Sequence, residues 1–183
     1  MEGFARFVFG ALFTVAALVA VLLAFVFEAR MDPAGGAPAV WLLDRGRRLR
    51  VGDLAVCTHR GTDVVGRVAA SANQKLSLRG NLLFVDGEPV ERRACRPGEA
   101  PQDRAAPGRC FVERKGDRSW VVQAPRGGRT VDLEVTVPAG QVYLLDDDRA
   151  AIERDSRSLG PLARESCRPV AATIAPGDIR VRP

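Results

Sequence analysis

Hydrophobic and polar positions divide the chain into one long apolar block and a series of short apolar runs. Phe7 to Phe27 carries no charge and is bounded by Arg6 and Glu28. As a helix rising 1.5 Å per residue, this block reaches about 30 Å, the thickness of a bilayer core. A signal-peptide apolar region is usually about 7–15 residues, and no clear small-x-small cleavage site follows this longer run. The pattern therefore predicts an uncleaved transmembrane helix over 7–27 behind a short tail, residues 1–6, with a cleaved signal peptide as the alternative. Nothing later is apolar enough to span again, which places 28–183 on one side of the membrane.

Residues 28–38 read as a linker, because Met31 to Pro38 is rich in Pro, Gly and Ala. From residue 39 onward the apolar runs are short. Val40–Leu43, Leu54–Cys57, Val64–Ala70, Lys75–Leu78, Leu82–Val85, Phe111–Glu113, Trp120–Val122, Val131–Val137 and Val142–Leu145 are separated by turn residues such as Val51-Gly52-Asp53, Arg79-Gly80-Asn81 and Asp86-Gly87. Thr58–Asp63 reads as a hairpin loop, and Ile179–Val181 as a last strand. No segment has the 3.6-residue period of an amphipathic helix. The expectation is an all-β, antiparallel domain over 39–183, carried on one N-terminal transmembrane helix. Glu91–Arg109 is polar, rich in Pro and Arg, and long for a loop inside a compact domain.

Composition changes this picture little. A chain of 183 residues with 46% hydrophobic content can bury one core of ordinary size. Of its 27 basic residues only Lys75 and Lys115 are lysines, so the net charge of +5 is an arginine charge. Arginines do not interleave with aromatics as they do in single-strand nucleic-acid grooves, so no nucleic-acid partner is expected. A solvated surface accounts for the charge, with an anionic membrane surface as the sharper alternative.

Cys57, Cys95, Cys110 and Cys167 contain no C-x-x-C pair and lie near no second metal ligand. In an exported domain they suggest two disulfides. Cys95 and Cys110 flank a Pro/Gly-rich loop and form the local candidate, which leaves Cys57 with Cys167. Buried free thiols are the alternative.

The most specific stretch runs from Val137 to Pro161. Val137-Pro138-Ala139-Gly140 is a Pro-x-Gly turn, and Gln141–Leu145 an alternating strand. Asp146-Asp147-Asp148-Arg149 and Asp155-Ser156-Arg157 follow, closed by Gly160-Pro161. This resembles the last box of the bacterial signal peptidase I family, V-P-x-G-x-x-x-x-L-G-D-N-R-x-x-S-x-D-S-R-x-x-G-P. Leu49–Cys57 resembles the family's R-R-G-D-L-V-x-V strand. Val64-Val65-Gly66-Arg67-Val68 and Leu83–Val90 resemble, without a gap, the stretch that carries the catalytic lysine. The short hairpin and Trp41-Leu42-Leu43 look closest to the conjugal-transfer maturation branch. Arg67, Asp147, Arg149, Asp155, Ser156, Arg157 and Gly160 match family motif positions. Asp147, Arg149, Asp155 and Arg157 are expected to form a paired charge network that braces the strand, with independent surface charges as the alternative.

The resemblance implies a peptidase with a serine nucleophile and a lysine general base, whose pKa an apolar pocket must depress. The lysine position is Gly66, which cannot take a proton. The nucleophile position falls near Gly36, or near Asp44 if the Val-Gly-Asp turn is matched instead, and the first serine in this sequence is Ser71. The family's helper serine inside the last box has no counterpart between Arg149 and Asp155, where Ile152 stands about in its place. That interval is one residue longer than the family's, Asp146 replaces a glycine, and Ala72-Asn73-Gln74 replaces the P-G-D turn.

Other constellations are weaker. His59, the single histidine, sits with Thr58, Thr62 and Asp63 at a hairpin tip far from position 66. Asp146-Asp147-Asp148 has the carboxylates of a hard-cation site, but Arg149, Arg154 and Arg157 surround it. Asp44 with Asp147 lacks the context of an aspartyl dyad. No metal and no cofactor is expected. Three functions compete. One is a membrane-anchored pseudoenzyme without the Ser/Lys dyad that binds peptides or a partner. Another is an active signal peptidase-type serine endopeptidase with displaced catalytic groups. The last is a structural component of a secretion or conjugation assembly. The expected location is the bacterial plasma (inner) membrane, single-pass, with the C-terminal domain on the periplasmic or extracellular side. Expected partners are the bilayer and exported preproteins, an active signal peptidase or secretion machinery.

Overall fold

Short strands dominate, as the alternating runs predict. The computed structural model describes residues 2–31, 40–80, 82–99, 108–125, 131–175 and 178–181. Helix α1, Glu2–Val26, is followed directly by β1, Phe27–Met31, and then by β2, Val40–Asp44. Strands β3, Leu54–His59, β4, Thr62–Ser71, β5, Lys75–Arg79, β6, Leu82–Val85, β7, Glu88–Pro89, and β8, Glu91–Ala94, come next. They are followed by β9, Gly108–Lys115, β10, Arg118–Pro125, β11, Leu133–Thr136, and β12, Gln141–Leu145. A 3-10 turn and the one-turn helix α2, Ser156–Leu159, lead to β13, Leu162–Ala163, β14, Cys167–Ala175, and β15, Asp178–Val181.

Three sequence expectations need correction. Residues 28–31, expected as linker, belong to β1, because Phe-Glu-Ala-Arg-Met alternates and pairs along its whole length with β2. Residues 32–39 lie outside the described residues. The Thr58–Asp63 loop shrinks to a two-residue turn at Arg60-Gly61, since pairing continues to His59↔Thr62. The polar stretch from Glu91 contributes β8, and its far end, Gly108 and Arg109, begins β9. Among the described residues no helix is long and apolar enough to cross a membrane; the side chains described within α1 begin at Thr14.

Contacts divide the chain into two units, 1–47 with 170–183, and 48–169. In the first unit β1, β2, the later part of β14, and β15 form an antiparallel sheet in that order. The second unit holds β3, β4, β12 and β13 side by side, with Cys167–Pro169 along the other edge of β3. It also holds a four-stranded sheet, β11-β5-β6-β7, and a three-stranded sheet, β10-β9-β8.

Burial in the second unit follows from strands with two covered faces. Alternate residues of β4 and β12 point to opposite sides. Val68, Val142 and Leu144 join Leu49, Ala55, Cys57, Val64, Leu162 and Cys167 in one cluster. Ala69, Ala70, Tyr143 and Leu145 join Leu76, Leu78, Leu83, Val85, Trp120, Val122 and Val137 in another. Both strands therefore read as continuous apolar runs rather than as clean alternations.

The cysteines form two disulfides, Cys57–Cys167 and Cys95–Cys110, the pairing expected from their spacing. Cys57 and Cys167 stand directly opposite each other on β3 and β14. Their closure spans 110 residues against 15 for the local pair, so chain entropy assigns about 5 kcal/mol to the first and about 3 kcal/mol to the second. Replacing Cys57 and Cys167 together by Ser should therefore lower the urea midpoint of the 48–169 unit more than the same change at Cys95 and Cys110. Equal midpoints for the two variants would contradict this ranking.

Candidate functional site

The Gly66-Arg67 pair on β4 lies beside Leu144 and Leu145 at the end of β12, and successive residues send their side chains to opposite faces. Arg67 is buried and held on three sides. Its Nε donates to Asp147 Oδ1 at 2.8 Å and its Nη2 to Asp147 Oδ2 at 2.7 Å, a bidentate pair. Its Nη1 donates to the Gly52 carbonyl at 2.8 Å, and its guanidinium carbon lies 5.7 Å from the Trp120 ring centroid. Gly52 closes a tight turn at φ 92°, and a Cβ there would come within 2.8 Å of the Trp120 ring. Glycine is required at this position both for the backbone conformation and for the ring. The next residue, Asp53, is buried, accepts from the Arg50 amide at 2.8 Å and pairs with Arg118.

A second buried ion pair lies behind Trp120. Glu113 Oε2 accepts from Trp120 Nε1 at 3.0 Å and from Arg149 Nη2 at 2.6 Å. Arg149 also donates to the Asp146 carbonyl at 2.9 Å, and its amide donates to the Gln123 carbonyl. The β9–β10 register sets this up by placing Trp120 opposite Glu113. On β8, Arg92 stands opposite Glu113 and its guanidinium lies 3.7 Å from the Phe111 ring centroid. Burial holds the Arg92 guanidinium below its ordinary pKa; the Glu113 carboxylate works against that shift and Arg149 adds to it.

The last box folds back onto β12. Ser156 is buried and its Oγ accepts from the Leu144 amide at 2.9 Å. Asp155 caps α2 by accepting from the Arg157 amide at 2.9 Å, and it accepts from the Asp146 amide at 2.9 Å. Arg157 Nη2 pairs with Asp155 Oδ2 at 2.6 Å, and its Nη1 donates to the Arg149 carbonyl at 2.7 Å. Gly160 ends the helix at φ 77°, its amide donating to the Ser156 carbonyl.

Four of the residues named from sequence thus meet in two ion pairs, Arg67–Asp147 and Asp155–Arg157. Arg149 differs from expectation. Its carboxylate partner is Glu113, thirty-six positions upstream, and not one of the acids of the box. The three aspartates do not converge on a metal: Asp147 faces Arg67, Asp146 Oδ1 accepts from the Asp148 amide, and Asp148 Oδ1 accepts from the Ala150 amide. Asp44 Oδ1 accepts from the amides of Gly46 and Arg47, which makes it a turn carboxylate. His59 lies four strand positions from the Gly66↔Ala55 pair, roughly 13 Å along the hairpin. Gly36 lies outside the described residues.

The family model described as signal peptidase, peptidase S26, matches residues 5–174. This chain belongs to the signal peptidase family. No curated protein matches it. Position 66 is where the resemblance to the signal peptidase family places the lysine, and here it is tightly flanked. A Cβ on Gly66 would come within 3.1 Å of Leu144 Cβ and of the Leu145 carbonyl oxygen, and within 3.3 Å of the Leu145 carbonyl carbon. Val64 and Val68, on the same face of β4, belong to the cluster that contains Leu144. Apolar side chains and the β12 backbone therefore occupy the space beside position 66.

Two measurements follow from these buried groups. Glu113→Ala leaves the Arg149 guanidinium and the Trp120 indole N–H buried without their carboxylate, and should destabilise the domain by about 3–5 kcal/mol in urea unfolding. A loss under about 1 kcal/mol would mean that the pair is solvated. Burial pushes the phenol of Tyr143, the sole tyrosine, up to about 12; the Asp155 carboxylate adds to the shift and Arg157 opposes it. Its folded pKa is thus raised above the unfolded value of about 10. The neutral phenol's contribution to stability is full below pH 10 and is lost as pH rises toward about 12. Phenolate absorbance should emerge near pH 12 in the folded chain, and Tyr143→Phe should flatten the fall in stability across that window.

Proposed function

We propose that this signal peptidase family member is a membrane-anchored pseudoenzyme that binds peptides or a partner protein without cleaving them. The observation that carries the reading is Gly66: no proton acceptor stands there, and Leu144 with the Leu145 backbone would crowd a Cβ placed on it. The absence of any serine before Ser71 in the sequence supports it. So does the contrast with the retained framework, in which Arg67–Asp147 and Asp155–Arg157 remain paired. Groups with structural roles persist where groups with chemical roles do not. In this reading the uncharged run Phe7–Phe27 anchors the chain in the bacterial inner membrane. The two disulfides support a C-terminal domain on the oxidising, periplasmic side. Its partners are exported preproteins, an active signal peptidase or secretion machinery, and the short β3–β4 hairpin keeps the likeness to the conjugal-transfer branch within the proposal.

Complementation tests it. In cells depleted of their own signal peptidase, the inserted chain should leave preprotein processing at the depleted level. Gly66→Lys combined with Gly36→Ser should not restore processing, and Gly66→Lys alone should lower stability by about 1–3 kcal/mol, because the new side chain overpacks the β4–β12 contact. Processing by the unaltered chain, abolished by changing one of its own hydroxyl residues, would instead establish an active peptidase with displaced groups.

A further inference from the structure

Strand β1 is an open edge. It pairs with β2 along its whole length in an unbroken register, and among the described residues no strand lies on its other side. The outward amides and carbonyls of such a strand are a template for a further strand. Edge strands are ordinarily blunted by proline, by like charges or by shortness. β7 contains Pro89, β8 carries Arg92 beside Arg93, and β13 has only Leu162 and Ala163. β1 has no proline and no bulge, and its two charges are of opposite sign.

The sequence of β1 is symmetric in character about Ala29. Phe27 and Met31 are its apolar ends, and Glu28 and Arg30 flank the centre. Arg30 Nε donates to Glu28 Oε1 at 2.6 Å, and the two side chains remain 31% and 27% exposed. Arg45 Nε lies 3.6 Å from the other Glu28 oxygen. Ala29 and Met31 are exposed as well.

This symmetry selects the occupant of the edge. Two identical strands that pair antiparallel across a two-fold axis perpendicular to the sheet keep each face on its own side, and the contact is the same from both copies. Directly opposed residues share a face, while neighbours along a strand face opposite ways. A residue can therefore oppose only its own counterpart or one an even number of positions away. With Glu28 on the axis, glutamate meets glutamate, and with Arg30 on the axis, arginine meets arginine; like charges directly opposed are destabilising. With Ala29 on the axis the whole strand overlaps. Glu28 then opposes Arg30 of the second copy twice over, Phe27 opposes Met31 twice over, and the small Ala29 meets itself at the centre.

We infer that two copies of this chain pair edge to edge through β1, antiparallel and in the register centred on Ala29, so that the β1-β2 sheet continues across a two-fold axis. Four charges of alternating sign then line one face of the seam, and apolar side chains the other. A single short strand is a small interface, and anchoring of both chains in one bilayer by α1 supplies the effective concentration it needs. To that extent the inference rests on the anchor reading above.

The test is cysteine cross-linking of the full chain, reconstituted at high lipid excess in phosphatidylethanolamine–phosphatidylglycerol vesicles and oxidised briefly with copper phenanthroline. The native cysteines are already held as disulfides. Ala29→Cys should give a covalent dimer, since directly opposed Cβ atoms lie about 5 Å apart. A mixture of Phe27→Cys and Met31→Cys chains should give one too. Phe27→Cys by itself should not, because its two copies are four positions out of register, roughly 14 Å along the strand. Adding Glu28→Arg to Ala29→Cys sets arginine against arginine at both pairs and should lower the yield about tenfold, and further addition of Arg30→Glu should restore it. Vesicle-bound Ala29→Cys chain that stays monomeric would overturn the inference and leave the edge to a segment of another protein. Equal yields from all the cysteine variants, insensitive to the charge changes, would mean random collision and would overturn it equally. Failure of the chain to float with the vesicles would overturn the anchor reading and this inference together, so the two failures are distinguishable.

Discussion

The guanidinium of Arg67 is the constraint on which the 48–169 unit is assembled. It takes up Asp147 through two parallel bonds, the Gly52 carbonyl through a third, and the face of Trp120. One side chain thereby ties the turn before β3, the strand β4, the hairpin β9–β10 and the acidic box after β12. A buried charge is tolerated only when its donors are met and its partner is fixed, so each of those segments is constrained at once. The ring it lies over is itself fixed, because Trp120 donates to Glu113 and Glu113 is held by Arg149. The family's R-V and D-x-R positions are thus joined through three-dimensional structure, although they are remote in sequence. Loss of any one would strand a buried charge.

The same constraint fixes what position 66 can be. With Arg67 committed to one face of β4, its neighbour must turn to the other, where Val64, Val68 and Leu144 pack. A lysine there would need an apolar recess, a depressed pKa and a hydroxyl to activate. Here Leu144 and the Leu145 carbonyl stand within 3.1 Å of where the first side-chain carbon would begin. The arginine network does not pass through position 66, so it can form whatever residue stands there. Family membership does not settle activity, because function is carried by the site and not by the fold.

Much of the fold was legible because its strands are short apolar runs, alternating or covered on both faces, and Asp-Gly or Gly-Asn turns mark the ends of several. Strand β14 was not legible: Cys-Arg-Pro-Val-Ala-Ala-Thr-Ile-Ala mixes a proline, a charge and small residues, and its order comes from its partners β2, β3 and β15. Strand β1 was hidden because no turn separates it from α1. At the site, Arg67, Asp147, Asp155, Ser156, Arg157 and Gly160 could be named from motifs, but the carboxylate partner of Arg149 could not. Glu113 lies 36 residues away and becomes its neighbour only through the β9–β10 register. A glutamate in an otherwise apolar strand segment, with a tryptophan placed opposite it by a two-residue Gly116-Asp117 turn, was the available signal. The closure around Gly66 left none, since it depends on how near β12 approaches β4.

The central proposal is that this chain, with a tightly flanked glycine at position 66, binds peptides or a partner without hydrolysing peptide bonds. It is tested most directly by incubating the purified full chain with a preprotein bearing a small-x-small cleavage site and following the products by intact-mass spectrometry. The account predicts an intact preprotein, with any loss equal to that in buffer alone. A product cut after the small-x-small site, formed in proportion to the amount of this chain and lost when one of its own hydroxyl residues is replaced, would contradict it.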